Sequence, residues 1–118
     1  MNYLLWGSIS GCLVVLIGAF GAHGLKDILD DYSKSIYDKA VLYQMFHTLI
    51  ILILGIANKI NPEIQFHLSA WAFLIGIIIF SGSLYILAIS SFKALGMITP
   101  IGGLFFIIGW ILLIIKAL

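Results

Sequence analysis

Four long apolar runs constrain this chain more than any other feature of its sequence. They cover residues 3–22, 40–57, 68–90 and 98–117, and none has an Asp, Glu, Lys or Arg in its central part. A helix needs roughly 20 mostly apolar residues to cross the hydrocarbon core, where its backbone groups must be satisfied within the segment. The sequence therefore predicts an all-α integral membrane protein, an antiparallel four-helix bundle with a single domain over residues 1–118.

The composition also indicates that lipid surrounds this chain. Hydrophobic residues make up 63% of the chain and charged residues only 9%, whereas a soluble domain carries about 25% charged residues. The net charge is +1 and arginine is absent, so nothing resembles the basic patch of a nucleic-acid-binding protein. Nucleic acid is therefore excluded as a partner, and membrane lipid is the expected surrounding.

The connections between the runs differ in length and polarity. Short turns rich in Asn, Pro, Ser and Gly are predicted at residues 58–63 and 90–96. The first connection, residues 26–39, holds three lysines and every acidic residue but one. Ser35 followed by Asp38 predicts a helix start, so the second helix is expected to begin before the membrane, after a longer polar loop.

Small residues mark one face of each predicted helix. In lipid the hydrophobic effect does not drive helices together, so they associate where small side chains let their backbones approach closely. Gly7 and Gly11 form such a GxxxG pattern in the first run. The predicted helix-packing residues are Gly7, Gly11, Gly18, Ala22, Gly76, Gly102 and Gly109.

Polar side chains gather in the membrane half that carries the first and third connections. At a rise of about 1.5 Å per residue, polar groups from all four helices fall within this half. Tyr43, Gln44 and His47 are three and four residues apart, so they share one side of the second helix. Ser8 and Ser10 are placed in the other half. The candidate binding cluster comprises His23, Tyr43, Gln44, His47, Ser81, Ser83, Tyr85 and Thr99.

Three interpretations of this cluster remain open. The first is an interhelical hydrogen-bond network in a non-enzymatic structural or accessory membrane protein, which would form a homo-oligomer or join a larger membrane complex. The second is a shallow cavity for a lipid headgroup, a quinone or a small solute, with His47 or His23 as proton carrier. The third pairs His23 with His47 as axial ligands of a haem, or as part of a metal site.

Catalytic signatures are absent from the sequence. It contains no nucleophile elbow, no HExxH metal motif and no phosphate-binding loop, and no paired carboxylates lie in the apolar runs. Enzymatic activity is therefore not predicted. No cofactor is expected either, although haem and lipid stay open as ligands.

Five motifs along the chain carry a family resemblance. They are GAFGAHGL (18–25), YQMFH (43–47), FSGSLY (80–85), ITPIGG (98–103) and the pair Gly109-Trp110. In this order and spacing they resemble the domain of unknown function 423 family of small bacterial membrane proteins, which looks related to the eukaryotic transmembrane protein 256 group. The resemblance implies a multi-pass, four-helix protein of the bacterial cytoplasmic membrane. It implies no reaction or substrate, but its motif positions coincide with the polar cluster and add Pro100.

Overall fold

The computed structural model describes residues 1–118 and is helical, with no strand. It contains four helices that are long and apolar enough to cross a membrane. They are α1 (Tyr3–His23), α2 (Asp31–Ile60), α3 (His67–Ser90) and α4 (Thr99–Ala117). A 3-10 turn, Lys93–Met97, precedes α4. The predicted all-α class and the four apolar spans are confirmed.

The start of α2 differs from the prediction. Asp30 caps the helix, because its carboxylate accepts a hydrogen bond of 2.7 Å from the Ser33 backbone N–H. This bond and one with the Ser33 hydroxyl lower the pKa of the Asp30 carboxyl. The predicted start at Ser35 and the longer polar loop were therefore wrong. Most of the polar connection is the first part of α2, and only residues 24–30 remain as a loop.

The two middle helices form the centre of the molecule. In their most apolar stretches, α2 and α3 have 39% and 50% of their residues buried, against 17% for each of α1 and α4. The helix α1 packs mainly against α2, α2 packs along the whole of α3, and α4 packs against α3. Ile51 and Phe73 are fully buried where α2 and α3 meet. The molecule measures 49 × 26 × 18 Å, so it is long and flattened.

Glycines bring α1 close to α2. Gly7 lies against the side chain of Leu52, and Gly18 faces Val41, which a Cβ at Gly18 would meet at 3.6 Å. Residues later in α1 therefore contact residues earlier in α2. Gly11 lies between these two points and faces Thr48.

Ala22 is exposed, so its predicted packing against another helix of the same molecule was wrong. Gly21, one position earlier, lies instead against the ring of Tyr37. The Tyr37 hydroxyl donates a hydrogen bond of 2.6 Å to the carbonyl oxygen of Ile17. Since neighbouring helix positions differ by about 100°, only one of two adjacent small residues can face α2.

The interface between α3 and α4 depends on three glycines that pack against phenylalanines. The pairs are Gly76–Phe106, Gly102–Phe80 and Gly109–Phe73. At Gly102 the neighbour is the backbone of Phe80, which lies in the π-helical turn Ile77–Ser81 of α3. A π-helical turn contains an extra residue. The backbone of α4 therefore contacts α3 most closely where α3 departs from α-helical geometry.

We predict that Gly102→Ala destabilises the protein. A Cβ at this position would meet the Phe80 backbone, which cannot move as a side-chain end can. We expect a loss of about 1–3 kcal/mol in the free energy of unfolding, the usual range for overpacking. The measurement is reversible unfolding in detergent micelles.

Gly103→Ala is the matched control, because a Cβ there would lie 3.8 Å from the nearest Phe80 ring atom, an ordinary contact. Alanine is favoured over glycine in a helix by about 1 kcal/mol, so this variant should be as stable as the parent or more stable. Equal stability of the Gly102→Ala and Gly103→Ala variants would contradict the close approach at Gly102.

Candidate functional site

Neighbouring groups hold the imidazole of His47 in one neutral form. The residue is 3% exposed. Its Nδ1 lies 2.8 Å from the carbonyl oxygen of Tyr43, and its Nε2 lies 3.4 Å from the indole Nε1 of Trp110. A carbonyl can only accept and an indole N–H can only donate. The proton is therefore on Nδ1, Nε2 accepts from the indole, and both ring nitrogens are engaged.

Aromatic rings surround this imidazole. The ring of Phe106 stacks on it with 3.6 Å between centroids and 3° between planes. Phe73 and Phe46 lie at centroid distances of 5.4 and 5.3 Å. Rings of this size packed on several sides leave the imidazole little freedom to rotate. His47 is thus part of a rigid aromatic cluster that joins α2, α3 and α4.

A groove of about 750 Å³ opens beside the aromatic cluster, between α2 and α4. We call it the α2–α4 groove. It exists because both helices pack on α3 rather than closely on each other. Most of its lining is apolar, and Leu42, Leu104 and Ile107 at its edges are more than half exposed. Tyr43 also lines it; this residue is 39% exposed, and its hydroxyl has no hydrogen-bond partner in the protein.

A second group of polar side chains lies inside the protein and links α1, α2 and α3. The Tyr85 hydroxyl donates to Gln44 Oε1 at 2.7 Å, and Gln44 Nε2 donates to the Ser10 carbonyl oxygen at 3.2 Å. The hydroxyls of Ser10 and Thr48 lie 2.6 Å apart. The assignment of Ser10 to a separate, nearly apolar half was therefore wrong. We call these four residues the internal network.

The remaining predicted hydroxyl groups tie helices together locally. Ser81 donates to the carbonyl oxygen of Ala40 on α2 at 2.7 Å. Ser83 lies on another side of α3 and hydrogen-bonds the hydroxyl of Thr99 at 2.6 Å. Each of these groups is satisfied within the protein, so none is available to a ligand.

His23 does not join the other predicted site residues. It is exposed at the end of α1, beyond the level where Gly21 meets Tyr37. His47 lies ten residues farther along α2 than Tyr37, which corresponds to roughly 15 Å of depth. Because the two imidazoles lie at different depths and both nitrogens of His47 are engaged, the pairing of these histidines around a haem iron was wrong. The structure has no group of three or more His, Cys, Asp or Glu side chains placed to hold a metal ion.

Sequence reasoning missed three contributions to these sites. Ser10 and Thr48 are two of the four residues of the internal network, and Trp110 fixes the tautomer of His47. A signal for Ser10 was present, because it lies three residues after Gly7 and next to Gly11, on the face of α1 assigned to packing. The indole of Trp110 had no comparable signal, since its partner lies 63 positions away.

Four apolar helices whose buried polar side chains all have hydrogen-bond partners define a multi-pass integral membrane protein. The family model described as "Protein of unknown function (DUF423)" matches residues 17–103. The chain belongs to this family, so the resemblance found in its motifs is confirmed.

Relatives match nearly the whole chain. A UPF0382 membrane protein of Staphylococcus aureus is 47% identical over 113 residues, covering 96% of this chain and 92% of the relative. One of Staphylococcus epidermidis is 45% identical, covering 98% and 94%, and one of Staphylococcus haemolyticus is 45% identical, covering 97% and 93%. These names and the four apolar helices confirm the membrane location. No solved structure gives a significant match to the chain.

We predict that Gln44 and Tyr85 are energetically coupled. Their hydrogen bond lies inside the protein, so Gln44→Leu and Tyr85→Phe should each destabilise it, and the double variant should lose less than the sum. We expect a coupling of about 0.6 kcal/mol, the average for interhelical hydrogen bonds in a membrane protein, and at most about 1.7 kcal/mol. The measurement is a double-mutant cycle on unfolding in micelles.

Ser90→Ala is the control for this cycle, because the Ser90 hydroxyl bonds no other membrane-spanning helix: it donates to the Ile86 carbonyl oxygen and accepts from the Phe92 backbone N–H. Its effect should add to that of Gln44→Leu without coupling. Strict additivity of the Gln44 and Tyr85 variants would mean that their hydrogen bond contributes nothing to the fold.

Proposed function

We propose that this protein is a non-enzymatic accessory protein of the bacterial membrane that holds the apolar chain of a membrane molecule in the α2–α4 groove. The observation that carries the proposal is the groove itself, with its aromatic floor and its exposed apolar edges. Its volume of about 750 Å³ lies within the range of about 300–1,000 Å³ typical of ligand pockets.

The state of His47 favours binding over chemistry. An imidazole that serves as a proton carrier or an iron ligand needs a nitrogen that is not already engaged. Both nitrogens of His47 have partners within the protein. We therefore assign His47 to shaping the groove floor and holding α4 beside α2.

The architecture that suits this function is an antiparallel four-helix bundle forming one domain over residues 1–118. Support comes from the order of packing, since each helix contacts the next along the chain. Short connections favour antiparallel neighbours in helical bundles. Both α2 and α4 pack on α3 and line the groove, whose edges are exposed to lipid.

A second candidate function is assembly through self-association of α1. The face of α1 that points away from α2 exposes small residues about one and two turns apart, Ser8, Cys12, Ala19 and Ala22. Small residues at such spacing favour close contact between helices in lipid. A second copy of this chain is the partner that this face fits.

We predict that Gly103→Leu reduces binding in the groove. Gly103 lines the groove, and an added Cβ there meets only the edge of the Phe80 ring, at ordinary contact distance. A Leu side chain would therefore fill space that an acyl chain occupies. In a Trp6→Phe/Trp71→Phe background, Trp110 is the only indole, so its quenching by lipids brominated midway along the chain reports on the groove.

Gly82→Leu is the matched control, because a Cβ at Gly82 has no atom within 4 Å. We expect Gly103→Leu to lower the quenching of Trp110 and the amount of lipid retained in native mass spectra, and Gly82→Leu to change neither. Identical quenching in all three proteins would count against the groove as a binding site.

We predict that mild oxidation links Cys12 to Cys12 of a second copy in the membrane. Cys12 is the only cysteine and is exposed on α1. A dimer band on non-reducing gels that disappears in Cys12→Ser is the expected result. Val14 faces the protein interior, so Val14→Cys in the Cys12→Ser background should not cross-link, and equal cross-linking at both positions would refute a specific α1 contact.

A further inference from the structure

The α2–α4 groove begins at one membrane surface and ends near the membrane centre. Its lining on α4 runs from Pro100 to Trp110, about 15 Å of helix. This length is close to half of the roughly 30 Å hydrocarbon core. A partner helix would need a seam through the whole core, whereas a lipid occupies a single leaflet. The extent of the groove therefore fits a lipid.

Lys39 lies at the surface end of the groove. It is exposed and comes four residues before Tyr43, so it continues the side of α2 that lines the groove. Ser81 of α3 bonds the carbonyl of Ala40, and Ser83 of α3 bonds Thr99 at the start of α4. Lys39 and the first turn of α4 are thus at the same depth, on the two sides of the groove entrance.

The charges at this entrance are positive. The N-terminus of α4 has no side-chain cap, and the aligned peptide dipoles give a helix N-terminus a partial positive charge. Lys93, in the turn before α4, lines a separate pocket with Asp30 and is not one of these charges. Asp38 is the nearest acidic residue in sequence, and it projects about 100° around α2 from Lys39. An anionic headgroup therefore complements the entrance.

We infer that the ligand of the α2–α4 groove is an anionic phospholipid. Its phosphate lies beside Lys39 at the entrance, and an ester carbonyl accepts a hydrogen bond from the Tyr43 hydroxyl, which has no partner within the protein. Its acyl chain runs over Phe80 and Phe106 toward Trp110. The inference rests on the proposed function, because it names the class of molecule whose apolar chain the groove holds.

The test compares two brominated lipids, phosphatidylglycerol and phosphatidylcholine, on the protein with Trp110 as its only indole. Phosphatidylglycerol has a net negative charge and phosphatidylcholine has none, whereas their acyl chains can be identical. One lysine near the surface contributes about 1 kcal/mol to the binding of an anionic lipid, so we expect a preference of about fivefold for phosphatidylglycerol. Lys39→Gln should abolish this preference without removing the quenching.

Lys34→Gln is the matched control. Lys34 is also exposed on α2 at the same membrane surface, but it is five residues away and on another side of the helix. It should keep the preference for phosphatidylglycerol. Equal effects of Lys34→Gln and Lys39→Gln would overturn the assignment of the phosphate to Lys39.

The outcomes separate this inference from the proposed function. Quenching that Gly103→Leu lowers but that is equal for both lipids would overturn the anionic ligand and leave the groove as a binding site. Quenching insensitive to Gly103→Leu would remove the proposed function and the inference together. Protection of Trp110 from both lipids, lost when an oligomer dissociates, would assign the groove to a second copy and overturn the inference.

Discussion

A polar group buried between membrane-spanning helices must find its partner within the protein, because no water is available to replace one. This constraint organises the interior of the molecule. No buried side-chain nitrogen or oxygen lacks a hydrogen-bond partner. The internal network joins α1, α2 and α3, and the bond between Ser83 and Thr99 joins α3 to α4. The polar residues therefore specify which helices lie side by side.

Close packing through glycine holds the helices together in addition to the hydrogen bonds. The three glycine–phenylalanine pairs hold α4 against α3, and α3 also packs along α2. Because α2 and α4 both pack on α3 and not closely on each other, a gap remains between them. The stacked pair of His47 and Phe106 forms the floor of this gap. The groove is thus a consequence of the order in which the helices pack. His47 could have been an ionisable centre, but it is instead a fixed, neutral part of the groove floor.

The candidate site was predictable in its composition and only partly in its grouping. Spacing along a helix can be counted from the sequence, so Tyr43, Gln44 and His47 were predicted to lie on one side of α2 at neighbouring levels. Their separation was not predicted, because Gln44 reaches Ser10 while His47 reaches Trp110 on the other side. Side-chain reach also matters, since the ring of Tyr85 packs against Tyr37 while its hydroxyl bonds Gln44, seven residues deeper on α2.

The sequence by itself determined the solvent, the number of spans, the small-residue faces and the family, because hydrophobicity and spacing are local properties of the chain. Only the tertiary structure decided which side of each helix meets which neighbour, and hence that His23 stands apart and that α2 and α4 enclose a groove. These outcomes depend on the rotation of each helix about its axis, which contacts between residues far apart in the chain determine.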